Sequence, residues 1–591
     1  MDTYSGLQKR IEFTVNKTIK SEKMVFLIKR RYRRVKGFFG GLFFLFVILI
    51  NSPGANASEG RELYLRHCSG CHHSERIGYY GPPLLPPFLK SLSDKDLERI
   101  IRHGIPQAPL KPSFPMLGSE ETKAIIAYLR EEPHSVNWTE EDINKSLQVF
   151  ELKKEYPGLK DIKNLTVVVE RGRDSIWVME GAELLDKAQF SNIHGGIKFT
   201  YGGDFFVPSK DGWIGRYNLK KRGFSLKVRP CIYMRNISLS RDEEYLIASC
   251  GLPSSIVILS PETLRPIKVL QLDGKINAIY ELSTRDEAIF TLRDRPVIGL
   301  LDTKKDFNLR YLSIDEPLDS FFIDPFEEYV IGSSRGGKRL AVYSLKDGSK
   351  VFDVPIEGMP HLFSASWWYN KGFFYFATPH TKAPYITVWR MYEWAFIKKI
   401  DIGGEGFLIR TNSATPYLWL DNGSDELVLI DKRELSIKKL IPVKGKKVTH
   451  TEVSHDGRLA YVSIYDKDGY LLLYDGVTLK EIKRYEARLL GGKYNYVNKS
   501  RRYNLFQLGR EVFMEKCWGC HHPEREAFGP SFQWIVNRRD ESLVKAYLME
   551  PERYYSALGY KRSVMPRIGL NEREVKALIS FVKEYPYAQD D

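Results

Sequence analysis

The chain of 591 residues is too long for a single hydrophobic core, and its 43% hydrophobic and 28% charged residues are ordinary for globular domains. Its net charge of +15 is uneven, because residues 1–57 hold eleven Lys and Arg against three acids. The rest of the chain has no dense basic patch with interleaved aromatic residues. This composition excludes a multi-span membrane protein and argues against nucleic acid as a partner.

The first 57 residues have the pattern of an export signal. A basic stretch, KRRYRRVK, precedes the apolar run 37–50, and residues 55–57 are the small-x-small sequence that a signal peptidase recognises. Fourteen apolar residues are fewer than the roughly 20 that span a bilayer as a helix. We therefore expect a signal peptide, with Met24 as an alternative start, and a mature protein in the periplasm. An uncleaved N-terminal membrane anchor is the alternative.

Two nearly identical segments lie 449 residues apart, HCSGCHHSERIGYYGP at 67–82 and KCWGCHHPEREAFGP at 516–530. Both contain Cys-x-x-Cys-His, which is the attachment signature of a c-type haem. Two thiols at this spacing reach the two vinyl groups of one porphyrin, and the following histidine binds the iron. A disulfide or zinc hairpin, the alternative, does not explain the histidine in both copies. The sequence predicts two covalent haem c groups, held by Cys68, Cys71 and His72 and by Cys517, Cys520 and His521.

The surroundings of both motifs are typical of small all-α cytochrome c domains. An amphipathic helical segment precedes each motif, and Gly-Pro follows it at 81–82 and 529–530. Met116 and Met565 hold the same position ahead of a closing amphipathic helix, and we expect them to be the sixth iron ligands. The alternative for each is a core methionine. His/Met ligation leaves no open position on the iron, so these haems would carry electrons only. The expected domains are 58–133 and 503–591.

Between these domains the sequence repeats about every 42 residues. Short strand-forming runs with polar turns recur eight times from residue 165 to 495, after a linker at 134–164. Units of four short strands at this period are typical of a β-propeller. We therefore expect a multidomain protein in which an all-β eight-bladed propeller is flanked by two small all-α cytochrome c domains. A seven-bladed ring with one false match is the alternative.

Several stretches of the chain resemble cytochrome cd1 nitrite reductase and its relatives in haem d1 biosynthesis. They are EEPHSVNWTEEDINKSL, FSNIHGGIKFTYGGDFFVPSKDGWIGRYNL, IASCGLPSSIVILSPETLRPIK and GMPHLFSASW, and the resemblance covers about residues 58 to 490. It implies a propeller that binds one non-covalent haem d1, with His194 as the iron ligand. A satisfied loop histidine is the alternative for His194. The resemblance also implies a homodimer.

The same resemblance places two histidines on the other side of haem d1 in the nitrite reductases. His361 matches one of them, and the other falls at Ser283 or Thr284. A histidine can deliver protons to nitrite near neutral pH and a hydroxyl cannot, so this difference argues against nitrite reduction. The biosynthetic relatives bind haem d1 or its precursor, and one of them dehydrogenates a propionate side chain of the ring.

The function that we predict is therefore that of a periplasmic multihaem oxidoreductase in haem d1 maturation, with His361 as a candidate catalytic residue. A cytochrome cd1-type nitrite reductase is one alternative. A dihaem electron-transfer protein with a cofactor-free propeller is the other. The expected partners are periplasmic or membrane electron-transfer proteins and a tetrapyrrole substrate. The second cytochrome has no counterpart in the reductases, so we interpret it as a tethered electron donor or acceptor.

Two cysteines and two histidines of the propeller are left without a clear assignment. A hairpin turning near Asp242 would not place Cys231 opposite Cys250, so we expect buried free cysteines, with a disulfide as the alternative. His380 is a further candidate for the channel, although a loop histidine is the simpler interpretation. The surroundings of His450 indicate no role.

Overall fold

The computed structural model describes residues 53–78, 81–104, 113–133, 136–334, 336 and 338–585, so most of the predicted signal peptide lies outside the described residues. The described chain forms a helical domain, a ring of eight β-sheets and a second helical domain. The prediction of eight blades is confirmed, and the seven-bladed alternative is wrong. None of the helices in this part of the chain is long and apolar enough to cross a membrane.

The first helical domain is built around two crossing helices. Its helices and that of the following linker are α1 Pro53–His67, α2 Ser69–His72, α3 Pro86–Leu89, α4 Asp94–His103, α5 Ser119–Arg130 and α6 Glu140–Lys145. The first helix crosses α5 at Gly60, where a Cβ atom would lie 2.0 Å from the carbonyl oxygen of Ala124. Only glycine allows this close approach of the two backbones.

Eight antiparallel sheets form the propeller, six of them from consecutive strands of the chain, while the first blade includes β34 and the second includes β1. Buried apolar residues fill the inner and middle strands, and the outermost strands alternate in burial. The strands, blade by blade from the inside outward, are as follows: β34 Leu490–Asn495, β2 Leu165–Glu170, β3 Ser175–Glu180 and β4 Glu183–Gln189; β5 Lys198–Phe199, β6 Phe205–Pro208, β7 Ile214–Asn218, β8 Gly223–Val228 and the linker strand β1 Gln148–Val149; β9 Tyr233–Leu239, β10 Leu246–Leu252, β11 Ser254–Leu259 and β12 Pro266–Gln271; β13 Ile276–Glu281, β14 Glu287–Leu292, β15 Val297–Asp302 and β16 Leu309–Ser313; β17 Ser320–Ile323, β18 Tyr329–Ser333, β19 Arg339–Ser344 and β20 Lys350–Pro355; β21 Met359–Pro360 with β22 Ser366–Asn370, β23 Phe373–Thr381, β24 Tyr385–Arg390 and β25 Ala395–Asp401; β26 Ile409–Arg410, β27 Tyr417–Asp421, β28 Leu427–Asp431 and β29 Ile437–Leu440; β30 Val448–Val453, β31 Leu459–Ile464, β32 Gly469–Asp475 and β33 Glu481–Ala487.

The ring closes within its first blade. The last strand of the propeller, β34, pairs with β2 so that Asn495 lies opposite Thr166. The hydrogen bonds of one sheet therefore join the two ends of the propeller sequence and leave no free inner edge.

The second helical domain repeats the helix crossing of the first. Its helices are α7 Asn504–Lys516, α8 Phe532–Arg538, α9 Glu541–Met549, α10 Pro551–Tyr554 and α11 Glu572–Glu584. A Cβ atom at Gly509 of α7 would lie 2.0 Å from the carbonyl oxygen of Ala577 in α11. Short 3-10 turns occur at Ile162–Asn164, Arg171–Arg173, Leu362–Ser364, Arg501–Tyr503 and Ser556–Leu558.

The order of strands gives the propeller two distinct faces. The segments that enter each inner strand, such as 190–197 and 356–361, lie on one face together with the turns between second and third strands. We call this the histidine face, because it carries His194 and His361. The turns between first and second strands, such as 282–286 and 324–328, lie on the opposite or far face.

The first helical domain packs against the histidine face. Ile77 and Leu85 form an apolar cluster with Ile232. The ring of Phe88 meets that of Tyr233 edge-on, with 5.3 Å between centroids. This contact places the first Cys-x-x-Cys-His motif on the side of the propeller that carries His194.

The second helical domain packs against the far face. Its residues Leu508 and Phe513 share one buried cluster with Phe374 and Phe326 of the propeller. Lys432 Nζ lies 2.6 Å from Glu511 Oε1 across the same interface, and both side chains are about nine-tenths buried. The second helical domain is therefore docked on the propeller as well as tethered to it, and the two helical domains occupy opposite faces.

Cys231 and Cys250 form a disulfide, so the expectation of free cysteines is wrong. Their Cα atoms are 5.9 Å apart. The pairing of β9 with β10 shifts register at Cys250, and the backbone N–H of Ile232 continues it by donating to the carbonyl of Leu252. The shift brings Cys231, just before β9, to Cys250, which an unbroken hairpin turning near Asp242 would not do.

Candidate functional site

Both Cys-x-x-Cys-His motifs have the geometry that covalent haem attachment needs. The backbone N–H of His72 donates to the carbonyl of Cys68 at 3.0 Å, and His521 makes the same bond to Cys517. One helical turn therefore presents both thiols and the imidazole together. None of the four motif cysteines forms a disulfide in the described structure.

The imidazole of each motif is fixed by the Gly-Pro that follows it. His72 Nδ1 donates to the carbonyl of Pro82 at 2.7 Å, which fixes the orientation of the ring. A Cβ atom at Gly81 would lie 2.4 Å from His72 Cε1, and one at Gly529 would lie 2.0 Å from His521 Cε1. A glycine is therefore needed at both positions for the backbone to lie against the ring.

The two methionines expected to bind iron lie on loops before the closing helices. Met116 is 70% exposed, two residues before the N-cap of α5. Met565 is half-buried, and its carbonyl accepts a hydrogen bond from Ser563 Oγ at 3.1 Å. Their positions are compatible with iron ligation, which stays a prediction for both.

His194 lines a cavity of about 350 Å³ on the histidine face. Its Nδ1 is buried and makes no hydrogen bond within the described structure. Burial, and to a lesser extent the positive charges of Arg235, Lys210 and Arg171, lower the pKa of His194 to about 4. A neutral imidazole with an unpaired nitrogen, beside a cavity, fits the predicted role of an iron ligand.

His361 lies in the segment that enters the sixth blade, four blades from His194 and therefore on the opposite side of the channel mouth. Its Nδ1 donates to the carbonyl of Phe407 at 2.8 Å, and its ring stacks on the ring of Phe407 at 4.2 Å. Burial lowers the pKa of His361 below its ordinary value, and Arg410 lowers it further. The neutral ring leaves Nε2 free to accept a proton.

A third histidine, His450, lies at the same end of the channel. It occupies β30 with a left-handed backbone, φ 50°, and its Nδ1 lies 2.7 Å from Thr449 Oγ1. Burial holds its pKa well below the ordinary value. The sequence analysis assigned no role to His450. The residues next to it in the sequence do not show that it lies on an inner strand beside the channel.

These three histidines share their basic neighbours. Arg171 lowers the pKa of both His194 and His450, and Arg410 lowers that of both His361 and His450. The three rings therefore belong to one site at the histidine face. Further cations reach the same rings: Lys210, Arg235, Lys493 and Lys499. A site with this excess of positive charge suits a ligand that carries several carboxylates.

The match of Ser283 or Thr284 to the second distal histidine is wrong. Both residues lie in the turn between β13 and β14, on the far face. Their backbone N–H groups and hydroxyls all donate to the carboxylate of Glu327, at 2.7 to 2.9 Å. They are separated from His194 by the thickness of the propeller.

His380 is a satisfied core histidine. It is fully buried, its Nδ1 lies 3.0 Å from the carbonyl of Glu357, and its Nε2 lies 2.9 Å from Thr387 Oγ1. Both ring nitrogens are occupied, so His380 is not available to a ligand in the channel.

Comparisons with known families match all three domains. The cytochrome D1 heme domain family matches residues 160–499, which is more than half of the chain. The family described as cytochrome C oxidase, cbb3-type, subunit III matches residues 55–129, and the cytochrome c family matches residues 506–585. The predicted fold class, an eight-bladed propeller between two cytochrome c domains, is confirmed.

Individual relatives agree with this assignment. Dihydro-heme d1 dehydrogenase of Pseudomonas aeruginosa is 32% identical over 469 residues, which cover 75% of this chain and 95% of the relative. Nitrite reductase of Stutzerimonas stutzeri is 21% identical over 504 residues, 72% of this chain and 88% of the relative. The solved structure of dihydro-heme d1 dehydrogenase NirN in complex with DHE superimposes with a TM-score of 0.71, 32% identity, and coverage of 74% of this chain and 99% of that one.

Proposed function

This chain belongs to the cytochrome D1 heme domain family, and from that premise we propose that it dehydrogenates a dihydro form of haem d1 bound at the histidine face and passes the electrons to two attached haem c groups. The relative that supports this activity is the dihydro-heme d1 dehydrogenase, whose similarity extends over 95% of its own length.

One observation carries the proposal: the histidine face holds three partly buried histidines, with Arg171 acting on His194 and His450 and Arg410 acting on His361 and His450. A haem d1-type ring is a flat, polycarboxylate iron tetrapyrrole. His194 would bind the iron, and the guanidinium groups would bind carboxylates at the ring edge with paired hydrogen bonds. A cofactor-free propeller has no need for this density of basic groups at one channel mouth.

The proposed reaction converts a –CH2–CH2– side chain into –CH=CH–. Two C–H bonds break, one carbon–carbon π bond forms, and two electrons and two protons leave the substrate. His361 and His450 are the proton acceptors that we propose, because both are held neutral near pH 7 and lie beside the site of binding. The haem c groups held by the two Cys-x-x-Cys-His motifs would supply the electron acceptors.

The first haem c site is on the correct face to receive these electrons. Its domain contacts blades two and three, where Lys210 both lines the cavity of His194 and approaches the ring of Phe88 to 5.5 Å. The second site is on the far face, where it would pass electrons to a separate redox protein. We propose a periplasmic location, which the predicted leader and the Cys231–Cys250 disulfide support.

The experiment that tests this function mixes the protein, carrying oxidised haem c, with dihydro-haem d1 under anaerobic conditions. We expect the haem c bands to become reduced while the tetrapyrrole spectrum changes to that of haem d1. Nitrite with an electron donor serves as the competing assay. Release of nitric oxide without dehydrogenation would assign the nitrite reductase function instead, and failure of the propeller to bind any tetrapyrrole would leave an electron-transfer protein.

The ligand role of His194 has its own test. In His194→Ala we expect the visible spectrum of bound tetrapyrrole to lose its low-spin character, and the affinity to fall by about tenfold or more. His380→Ala is the matched control, because His380 is a buried propeller histidine whose nitrogens are already satisfied. An unchanged spectrum in the His194 variant would contradict the assignment.

A further inference from the structure

Below the histidine face, two neighbouring inner strands carry buried polar groups that lack a hydrogen bond. Within the described structure, Thr451 Oγ1, Glu452 Oε2 and Lys493 Nζ make none, and the three residues are only 4%, 1% and 4% exposed. Thr451 and Glu452 lie on β30, and Lys493 lies on the adjacent inner strand β34. Buried groups of this kind are normally satisfied, frequently by ordered water.

The carboxylate of Glu452 links these groups to others nearer the far face. Asn498 Nδ2 donates to Glu452 Oε1 at 3.0 Å, which holds the side chain in place. Lys499 Nζ lies 3.4 Å from Glu452 Oε2. Glu452 therefore lies between the part of the channel that contains Lys493 and the far end that contains Lys499.

Lys499 opens into a cavity of about 370 Å³ between the propeller and the second cytochrome. Lys198 and Glu281 line the same cavity and form an ion pair at 2.9 Å. Ser580 and Glu584 of α11 complete its wall. The buried polar groups thus form a series from the histidine face to a cavity at the opposite end of the propeller.

The proposed dehydrogenation creates a need for such a series. Two protons leave the substrate for each double bond formed, and a flat ring bound at the histidine face would exclude bulk water from that face. His361 and His450 can each hold one proton, and they must lose it before the next turnover. A second way out for protons is therefore required.

We propose that Lys493 and Glu452 relay these protons through the centre of the propeller to the cavity beside Lys499. This inference rests on the proposed function. Ordered water bridging Thr451 Oγ1, Glu452 Oε2 and Lys493 Nζ would complete the series, because none of these atoms makes a hydrogen bond within the described structure. Glu452 Oε2 also forms ion pairs with Lys499 at 3.4 Å and Arg410 at 4.0 Å. The protons then leave on the face opposite the one on which the substrate binds.

The electrostatics of the channel suit a relay. Burial lowers the pKa of Lys493 to about 7; Glu452 and Asp421 oppose that shift and Arg410 adds to it. Burial likewise lowers the pKa of Lys499 to about 8. At the same end of the channel, Lys493 and Arg171 both lower the pKa of His450. An amine that titrates near neutral pH can take up and release a proton in each cycle.

The first test uses Glu452→Gln and Lys493→Met, with Asp186→Asn as the matched control, since Asp186 is a carboxylate hydrogen-bonded to Tyr217 in an outer strand. Dihydro-haem d1 is mixed with each oxidised protein, and haem c reduction is followed together with a pH-indicator dye. At saturating tetrapyrrole, we expect proton release and haem reduction to slow at least tenfold in both channel variants. Added imidazole or formate should restore the rate.

The second test needs no bound tetrapyrrole. In protein labelled with 13C at lysine Cε, we expect one lysine signal to titrate near pH 7 and to be absent from Lys493→Met. Channel variants with wild-type proton release, or slow variants that weak acids do not rescue, would overturn the relay. If wild-type protein does not oxidise the substrate, the proposed function fails; if it does and both channel variants keep wild-type proton release, only the relay fails.

Discussion

Tyr369, at the end of the inner strand of blade six, donates a 2.5 Å hydrogen bond to Glu574 in the closing helix of the second cytochrome. Both side chains are buried, and Lys516 Nζ lies 2.8 Å from the same carboxylate oxygen. Lys516 directly precedes Cys517, so this cluster joins the propeller to the haem attachment site. The contact therefore fixes where the second haem lies relative to the far face.

Removing the Tyr369 hydroxyl should weaken the docking of the second cytochrome. In Tyr369→Phe the buried carboxylate of Glu574 keeps Lys516 and loses its partner in the propeller. Loss of a hydrogen bond to a charged group costs about 2 kcal/mol. We expect faster proteolysis in the segment 496–503, with an unchanged propeller core.

The control for this prediction is Tyr311→Phe. Tyr311 lies on the outer strand β16 and is 43% exposed, so the same chemical change should have little effect. Equal rates of cleavage between the two domains in wild-type protein and Tyr369→Phe would show that the docking does not depend on this bond.

The architecture was predictable from the sequence because its signals are local and repeated. The pattern of strands and turns repeats eight times, about every 42 residues. A wrong assignment of one strand therefore does not change the predicted architecture. The haem motifs are equally local, since all their ligating atoms lie within one helical turn around Cys68 and Cys517.

The features that sequence reasoning missed depend on contacts between distant segments. The alignment matched Ser283 to a residue of the histidine face, although it lies on the far face. An alignment error of one strand within a blade exchanges the two faces of the propeller. Cys231 meets Cys250 through a register shift that β10 adopts against its neighbour. The role open to His450 depends on Arg171 and Arg410, which come from other blades.

Haem attachment should depend on the glycine behind each iron-binding histidine. In Gly529→Ala the new methyl carbon would lie 2.0 Å from His521 Cε1, so the ring or the backbone must move. We expect the haem content measured as pyridine haemochrome to fall from two per chain toward one. Gly519→Ala, within the same motif, is the control, because a Cβ atom there meets nothing within 4 Å. Full haem content in Gly529→Ala would refute the requirement for a close approach.

The stability of the propeller should fall with acidification through the window set by His380. Burial lowers the pKa of His380 to about 4 in the folded protein, whereas an unfolded histidine titrates near about 6.5. Between these values the unfolded chain binds more protons, so the stabilisation present above about pH 6.5 is lost as the pH drops toward 4. The loss from this one residue is of the order of 3 kcal/mol.

Urea unfolding followed by tryptophan fluorescence at about pH 7 and about pH 4.5 measures this effect. His380→Gln removes the titration, so we expect a smaller difference between the two midpoints than in wild-type protein. His103→Gln, on an exposed position of α4, should keep the wild-type difference. An identical difference in wild-type protein and His380→Gln would show that the protonation of His380 does not control the acid sensitivity.

The disulfide of the third blade should contribute to stability by closing a loop in the unfolded chain. Cys231 and Cys250 are 19 residues apart, and a loop of this length corresponds to about 3 kcal/mol of lost conformational entropy. Because the four motif cysteines become thioethers when haem is attached, the mature holoprotein should show no free thiols under denaturing conditions and two after reduction. In the double variant Cys231→Ala/Cys250→Ala we expect a lower urea midpoint, which added reductant does not change, while reductant lowers the midpoint of the wild-type protein. Two free thiols in the unreduced, denatured holoprotein would contradict the pairing.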